Sequence, residues 1–252
     1  MAENKNKHGL SRYIPEAVKR EVRQRCGFGC VRCGHGFYDY EHFNPDFADA
    51  KEHHPDGITL LCSQCNQKRA RTRLSAETVA EANENPVCLD RGFASEMFDF
   101  HREPITVTMA GCSFYACQHL ILIDDQPVLS VNSPEREKGP FLLSGVFCDE
   151  KGREILRIEK NEWIVKPGNW DVQVEGPKII IKNGPGDIVL ELRMDPPKGI
   201  EIERLNMVYK GLHIRCGNNI LEISYNGGNW SRWIGCSVRH CYAGFIFESP
   251  KK

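Results

Sequence analysis

The chain has 252 residues, of which 40% are apolar, so it can bury the core of one large domain or of two smaller ones. Its net charge of −1 excludes a chain that is basic over its whole surface. The charge is uneven, because residues 1–75 hold 13 Lys and Arg against 9 Asp and Glu, whereas the remainder is acidic. We therefore expect the first part of the chain to bind polyanions.

The sequence predicts a cytoplasmic protein with no membrane partner. No stretch is apolar and long enough to cross a bilayer, and the polar start MAENKNKHGLSRY lacks the apolar core of a secretory signal. In a reducing compartment, the 12 cysteines are expected to be metal ligands and buried thiols rather than disulfides.

The first third of the chain has helical patterns. Residues Ile14 to Arg25 predict a helix with Pro15 in its first turn, because apolar residues recur four apart on one face. A short basic helix is predicted from Cys65 to Arg73, and another begins at Ser75 and runs through Glu81. Residues 84–104 have no clear period and contain Pro and Gly, so they are predicted as a linker.

Short alternating β patterns separated by turn signals fill residues 105–252. Four glycines stand 34, 31 and 35 residues apart, and a strand–turn–strand pattern follows each of them: Gly111, Gly145, Gly176 and Gly211. This spacing predicts a β-rich domain of four hairpin-like repeats that share one core. Incidental spacing of turns would give the same pattern.

Two CxxC pairs stand about thirty residues apart, Cys30 with Cys33 and Cys62 with Cys65. Four thiolates at this spacing are typical of a tetrahedral structural zinc site. Cys26 could replace Cys30 as a ligand, but two matched CxxC pairs make the simpler site.

Polar residues with catalytic chemistry lie around these pairs. Tyr38-Asp39-Tyr40-Glu41-His42-Phe43 lies between them, and Asn66 follows the second directly. Together with RQRCGFGCVRCG and HHPDGITLLCSQCNQKR, these residues resemble the HNH, or ββα-metal, endonucleases over about residues 10–85. The resemblance implies an α+β chain. An N-terminal ββα-metal zinc module (1–83) would precede a linker (84–104) and a β-rich domain for recognition, regulation or assembly (105–252).

The resemblance also implies a reaction, the metal-dependent hydrolysis of DNA phosphodiester bonds. His42 would be the general base, because a neutral imidazole can take a proton from water near pH 7. Glu41 and Asn66 would hold a catalytic Mg²⁺ or Mn²⁺, which prefers oxygen ligands. Four basic side chains are expected to bind nucleic acid: Lys68, Arg69, Arg71 and Arg23.

The chain departs from the family pattern at three positions. Glu41 stands where Asp or His is usual, Asn66 stands where His is frequent, and Gly57 stands where a middle Asn is expected. In the family, that Asn holds the strand that carries the general base. The nearby His53, His54 or Asp56 could take over this role.

Several alternatives remain open at this stage. The module could be a non-catalytic zinc-knuckle protein that binds nucleic acid, and RNA is a less favoured substrate than DNA. Double-strand cleavage would require a homodimer, and modules of this kind often serve in phage defence. Four further cysteines are either buried thiols or a second metal site: Cys112, Cys117, Cys236 and Cys241.

Overall fold

The structure is a computed structural model that describes residues 5–248. The chain divides into two compact units. Unit 1 comprises the residues up to Glu96 together with Val165–Val174, and unit 2 comprises Met97–Ile164 and the residues from Glu175 onward. The fold is α+β, and among the described residues all α-helices belong to unit 1.

Unit 1 alternates short helices with short strands. In chain order its elements are α1 (Glu16–Arg25), β1 (Asp39–His42), a 3-10 turn (Pro55–Gly57), β2 (Ile58–Leu61), α2 (Ser63–Ala70), α3 (Ala76–Glu84), α4 (Val87–Arg91) and β3 (Ala94–Met97). Strands β1 and β2 are antiparallel, with His42 opposite Ile58. All four residues of β2 are buried, and its three apolar residues form a core with Val22 of α1 and Val79 of α3.

The helix ends follow from local capping. Pro15 is the N-cap residue of α1 rather than part of its first turn. Helix α2 begins at Ser63, before the predicted Cys65, because the sulfur of Cys62 accepts a hydrogen bond from the Cys65 backbone N–H at 3.4 Å. Ser75 caps α3 through its hydroxyl, which accepts from the Thr78 N–H at 3.1 Å.

Residues 84–104, predicted as a linker, contain the regular elements α4 and β3. Cys88 and Ala94 are fully buried, and the Gly36 N–H donates to the Ser95 carbonyl at 2.9 Å. These short segments show no recognisable hydrophobic periodicity in the sequence, since each is only four or five residues long. Their burial comes from contacts with residues distant in sequence.

Unit 2 is built from strands. They are β4 (Thr106–Met109), β5 (Cys112–Ile123), β6 (Gln126–Asn132), β7 (Leu142–Cys148), β8 (Glu154–Glu159), β9 (Glu162–Val165), β11 (Lys178–Gly184), β12 (Asp187–Asp195), β13 (Gly199–Tyr209), β14 (Leu212–Gly217), β15 (Ile220–Tyr225), β16 (Trp230–Trp233) and β17 (Ser237–Phe247). Strand β10 (Asp171–Glu175) lies almost entirely in unit 1. Most neighbours in unit 2 are antiparallel hairpins, which explains the turn signals between the strands.

Among the described residues of unit 2, two strand pairs are parallel, and both join segments distant in sequence. Strand β4 pairs with β13, and β17 pairs with β5. The sheet follows the order β11-β12-β13-β4-β5-β6-β7-β8-β9, and β14, β15 and β16 continue from β13. Its core is formed by alternating apolar residues such as Ile179 and Ile181, which are fully buried.

The four glycines of the predicted repeat do not occupy equivalent places. Gly111, Gly176 and Gly211 lie in turns between strands, with φ angles of 81°, 54° and 79°. Gly145 lies inside β7. The hairpin-like repeat therefore stays a prediction. Among residues 5–248, no helix combines the length and the apolar character needed to cross a bilayer.

Candidate metal centre and active site

The four predicted zinc cysteines meet in unit 1. The sulfur atoms of Cys30, Cys33, Cys62 and Cys65 all lie within 4.8 Å of one another. The Sγ of Cys33 is 3.6 Å from that of Cys62 and 3.9 Å from that of Cys65. Tetrahedral zinc with Zn–S bonds of ~2.3 Å requires sulfur atoms about 3.8 Å apart. The cluster could therefore hold a metal ion such as zinc.

Local structure brings the two cysteine pairs together. After Cys30 the chain turns through Gly34, whose φ is 77° and whose N–H donates to the Cys30 carbonyl at 2.8 Å. Cys62 is the N-cap residue of α2, and Cys65 lies in its first turn. A hydrogen bond from Cys33 lowers the pKa of the Cys30 thiol to about 5.

Cys26, the alternative ligand, lies outside the cluster. Its sulfur is fully buried and contacts the Thr59 hydroxyl at 3.8 Å. Burial raises the pKa of this thiol, so Cys26 is a protonated core side chain.

His42 is the last residue of β1 and is 8% exposed. Burial, followed by the proximity of His53 and Arg12, lowers the pKa of His42 to about 4. The imidazole is therefore neutral at physiological pH, which is the state that a general base requires.

A chain of hydrogen bonds orients the His42 ring. The Nε2 atom of His42 lies 3.0 Å from Nδ1 of His53, and Nε2 of His53 lies 2.9 Å from the Ser11 carbonyl oxygen. A carbonyl only accepts, so His53 carries its proton on Nε2 and, when neutral, accepts from His42 through Nδ1. His42 then carries its proton on Nε2, and its Nδ1 keeps a free lone pair.

Two carboxylates share this region with His42. A cavity of about 470 Å³ is lined by Glu41, His42, Asp46 and Arg69, among others. The Arg69 guanidinium donates to Glu41 at 3.3 Å and also to Asp46. Burial raises the pKa of Glu41, an effect that Arg69 opposes. The cavity thus combines a neutral imidazole, two carboxylates and one guanidinium.

The remaining predicted residues of this region, in α2 and at its C-cap, are not among the described residues that line this cavity. Asn66 is half-buried in the first turns of the helix and is not among the described residues that line the cavity. Lys68 is half-buried and Arg71 is exposed. The structure therefore brings Glu41 and His42 into one cavity and leaves Asn66 outside its lining.

Gly57 lies where the resemblance led us to expect an Asn. Its carbonyl accepts from the Phe43 N–H at 3.0 Å, directly after His42. A Cβ at this position would lie 2.2 Å from the Asn44 carbonyl oxygen, so no side chain fits. The backbone of Gly57 thus holds the strand of His42, and of the three predicted substitutes only His53 contacts the His42 ring among the described hydrogen bonds.

The prediction that Arg23 binds nucleic acid is corrected by its burial. Its side chain is 0% exposed, and its Nε and Nη2 donate to the two carboxylate oxygens of Asp171, each at 2.8 Å. Burial opposes the charged form, but the hydrogen bond to Asp171 raises the pKa of Arg23 above its usual value. The guanidinium stabilises unit 1 from inside and is not accessible to a phosphate.

Comparison with protein-family models, with curated proteins and with solved structures finds no match.

Three residues with a role in unit 1 were not predicted from the sequence: Asp46 and Arg12 near His42, and Asp171 as the partner of Arg23. Asp46 follows His42 by four residues, and this spacing after an acidic–His pair is a usable signal. Arg12 and Asp171 offered no signal, because Arg12 lies in a polar N-terminal stretch and Asp171 is 148 residues from its partner Arg23.

Proposed function

We propose that unit 1 is a metal-dependent endonuclease of the HNH type that hydrolyses DNA phosphodiester bonds. The observation that carries the proposal is a buried, neutral imidazole that shares one cavity with two carboxylates. Perturbed titratable groups that converge in a cavity are typical of catalytic sites.

His42 is the general base in this proposal. Its Nδ1 takes a proton from water, and His53 positions the ring by accepting the hydrogen bond from Nε2. The Ser11 carbonyl fixes His53 in turn. The lowered pKa of His42 keeps its lone pair available at neutral pH.

Carboxylate oxygens suit a hard divalent cation, so Glu41 and Asp46 fit Mg²⁺ or Mn²⁺, whereas the predicted ligand Asn66 is not among the described residues that line the cavity. A bound cation supplies Lewis-acid stabilisation of the charge that develops on the phosphate. Glu41 and Asp46 already share the Arg69 guanidinium. Arg69 therefore holds the carboxylates together and offers positive charge to a phosphate.

Zinc at Cys30, Cys33, Cys62 and Cys65 has a structural role in this proposal. All four ligands are cysteines, which is typical of closed structural sites. A bound ion would join the loop after α1 to the start of α2, the helix that carries Arg69. It would therefore fix the start of this helix.

Plasmid nicking tests the proposal. Zinc-loaded protein is incubated with supercoiled plasmid and Mg²⁺ or Mn²⁺, alongside the variants His42→Ala and His54→Ala. His54 is an exposed histidine beside Asp56 and serves as the matched control. We expect nicking by the wild type and by His54→Ala, and a loss of roughly 100-fold or more in His42→Ala. Equal nicking by all three proteins, or none by any, would contradict the proposal.

The ion pairs of Arg69 favour a second candidate, a zinc-knuckle protein that binds nucleic acid without cutting it. A guanidinium bound to both carboxylates occupies the place of a cation. This candidate predicts no nicking, together with DNA affinity that falls steeply with salt. Lys68→Ala and Arg71→Ala would each reduce that salt dependence, whereas Lys51→Ala, at an exposed position outside α2, would not.

A further inference from the structure

Two cysteines of unit 2 face each other on neighbouring strands. Cys117 of β5 is directly opposite Cys241 of β17 in the parallel register. The thiol of Cys241 donates to the sulfur of Cys117 at 2.9 Å, and the thiol of Cys117 is 3.3 Å from the His119 carbonyl. The two sulfur atoms are thus in contact, although the residues are 124 positions apart.

The spacing of these sulfur atoms differs from that of the metal centre. Sulfur atoms in the four-cysteine cluster are 3.6 and 3.9 Å apart, as tetrahedral coordination requires. The separation of 2.9 Å in the Cys117–Cys241 pair is too short for an ion between them. Among residues 5–248, moreover, only the four-cysteine cluster brings three or more metal-ligating side chains together. The geometry favours a direct sulfur–sulfur bond over a second metal site.

The backbone holds both sulfur atoms in this position. Ala116 and His240, which directly precede the two cysteines, have left-handed φ angles of 48° and 52°. Residues with a Cβ rarely adopt this conformation, and it persists only where the surrounding structure imposes it. The same irregularity on both strands aims the two thiols at each other.

The pair is open to small molecules. It lines a cavity of about 450 Å³ together with Gln118, His240 and Tyr242. Cys241 is half-buried, whereas Cys117 is 3% exposed. A small oxidant entering the cavity therefore reaches Cys241 first.

We propose that Cys117 and Cys241 form a redox modification site, at which a peroxide oxidises the two thiols to a disulfide that joins β5 to β17. The proposal concerns unit 2 and does not depend on the nuclease proposal.

The reaction balances with hydrogen peroxide as the oxidant. The Cys241 sulfur attacks one peroxide oxygen, the O–O bond breaks, and the products are a sulfenic acid on Cys241 and water. The Cys117 sulfur then attacks the Cys241 sulfur, the S–O bond breaks, and the proton of Cys117 leaves with the hydroxide as water. The two thiols lose two electrons and two protons, and the peroxide is reduced to two water molecules.

The two cysteines have distinct roles in this reaction. Burial and the hydrogen bond with Cys241 raise the pKa of Cys117 to about 12, so Cys117 keeps its proton until the sulfenic acid has formed. It is then the resolving cysteine, held in contact with its target.

Peptide mapping of the full zinc-loaded chain tests the proposal. The protein is treated with a small excess of hydrogen peroxide, its free thiols are blocked with N-ethylmaleimide, and it is digested with trypsin. Cys241 falls in peptide 240–251, Cys236 in peptide 233–239, and Cys112 with Cys117 in peptide 103–136. Chymotrypsin cleaves after Phe114 and Tyr115 and so separates Cys112 from Cys117.

We expect peptide 240–251 to be linked to the Cys117 fragment, and the link to disappear with dithiothreitol. Because the bond closes a long loop, the melting temperature should rise by about 5 °C or more. The rise should be absent in Cys241→Ser and retained in Cys148→Ser, which alters a buried cysteine outside the pair. Free Cys241 after treatment, over-oxidation of Cys241 without a link, or a link only between Cys112 and Cys236 would overturn the proposal.

Discussion

His42 stays uncharged because its ring is buried and lies between His53 and Arg12. An imidazole in this environment is a base rather than a cation at neutral pH. The sequence identified the residue from its acidic neighbour and its place between two cysteine pairs. It could not identify which of the three nearby candidates contacts the ring, since that depends on the path of the loop after β1.

The lowered pKa of His42 makes stability depend on pH. The pKa of His42 is 6.5 in the unfolded chain and about 4 in the folded chain. The free energy of unfolding is therefore highest above about pH 6.5 and falls as the pH decreases towards 4. Between pH 7 and pH 5, we expect the unfolding free energy of His42→Gln to fall less than that of the wild type, with a difference on the order of 1 kcal/mol. Urea unfolding at the two pH values measures this. His54→Gln should behave as the wild type, and a pH dependence unchanged in His42→Gln would contradict the pKa direction.

A second prediction for a single residue concerns Gly57. In Gly57→Ala the added methyl would lie 2.2 Å from the Asn44 carbonyl, so the loop after His42 must move. We expect a loss of about 3 kcal/mol in unfolding free energy, measured by urea denaturation. Gly168→Ala, at a position of unit 1 where an added Cβ meets nothing within 4 Å, is the control and should be close to neutral. Equal stability of the two variants would show that this contact is not restrictive.

The helix α2 begins within the cysteine cluster. Cys62 both belongs to the cluster and caps α2, so metal binding and helix formation share one side chain. The repeated CxxC spacing was sufficient to predict the cluster, because the chemistry of the ligands dictates the spacing. The start of α2 was predicted two residues too late, since a cysteine cap is not a usual sequence signal.

Metal content distinguishes the cluster from its neighbour Cys26. We expect about one zinc per chain in the wild type and in Cys26→Ala. In Cys33→Ser we expect the zinc affinity to fall by roughly 100-fold or more, because losing a direct ligand lowers the affinity more than losing a neighbouring thiol. Elemental analysis and competition with a chelator measure this. Zinc loss in Cys26→Ala with retention in Cys33→Ser would contradict the assignment of the ligands. Chelation of the wild type should also reduce its helical circular dichroism.

At the scale of the whole molecule, unit 1 is discontinuous in sequence. Val165–Val174 belongs to it, and Asp171 in this segment pairs with the fully buried Arg23. Composition and period could predict that the first third is helical and the remainder β-rich. They could not predict the return of a ten-residue segment, because the pairing of one Arg with one Asp leaves no pattern in the sequence.

Removal of the Asp171 carboxylate tests this connection. Asp171→Ala leaves the Arg23 guanidinium buried without its main partner, and we expect a loss of about 3–5 kcal/mol in unfolding free energy. Asp99→Ala removes an exposed carboxylate and should cost little. Chemical denaturation compares the two variants with the wild type. A difference between the two variants below about 1 kcal/mol would indicate that the ion pair is not a major contributor.

The late position of Asp171 also affects the order in which the protein can be assembled. A nascent chain that has left the ribosome only as far as residue 96 contains every cysteine of the metal centre and the whole cavity around His42. It contains Glu16, which also pairs with Arg23, but it lacks Asp171, the buried carboxylate that accepts two hydrogen bonds from this guanidinium, so the core around α1 stays incomplete. Unit 1 therefore reaches its final packing only after some seventy-five further residues have been translated.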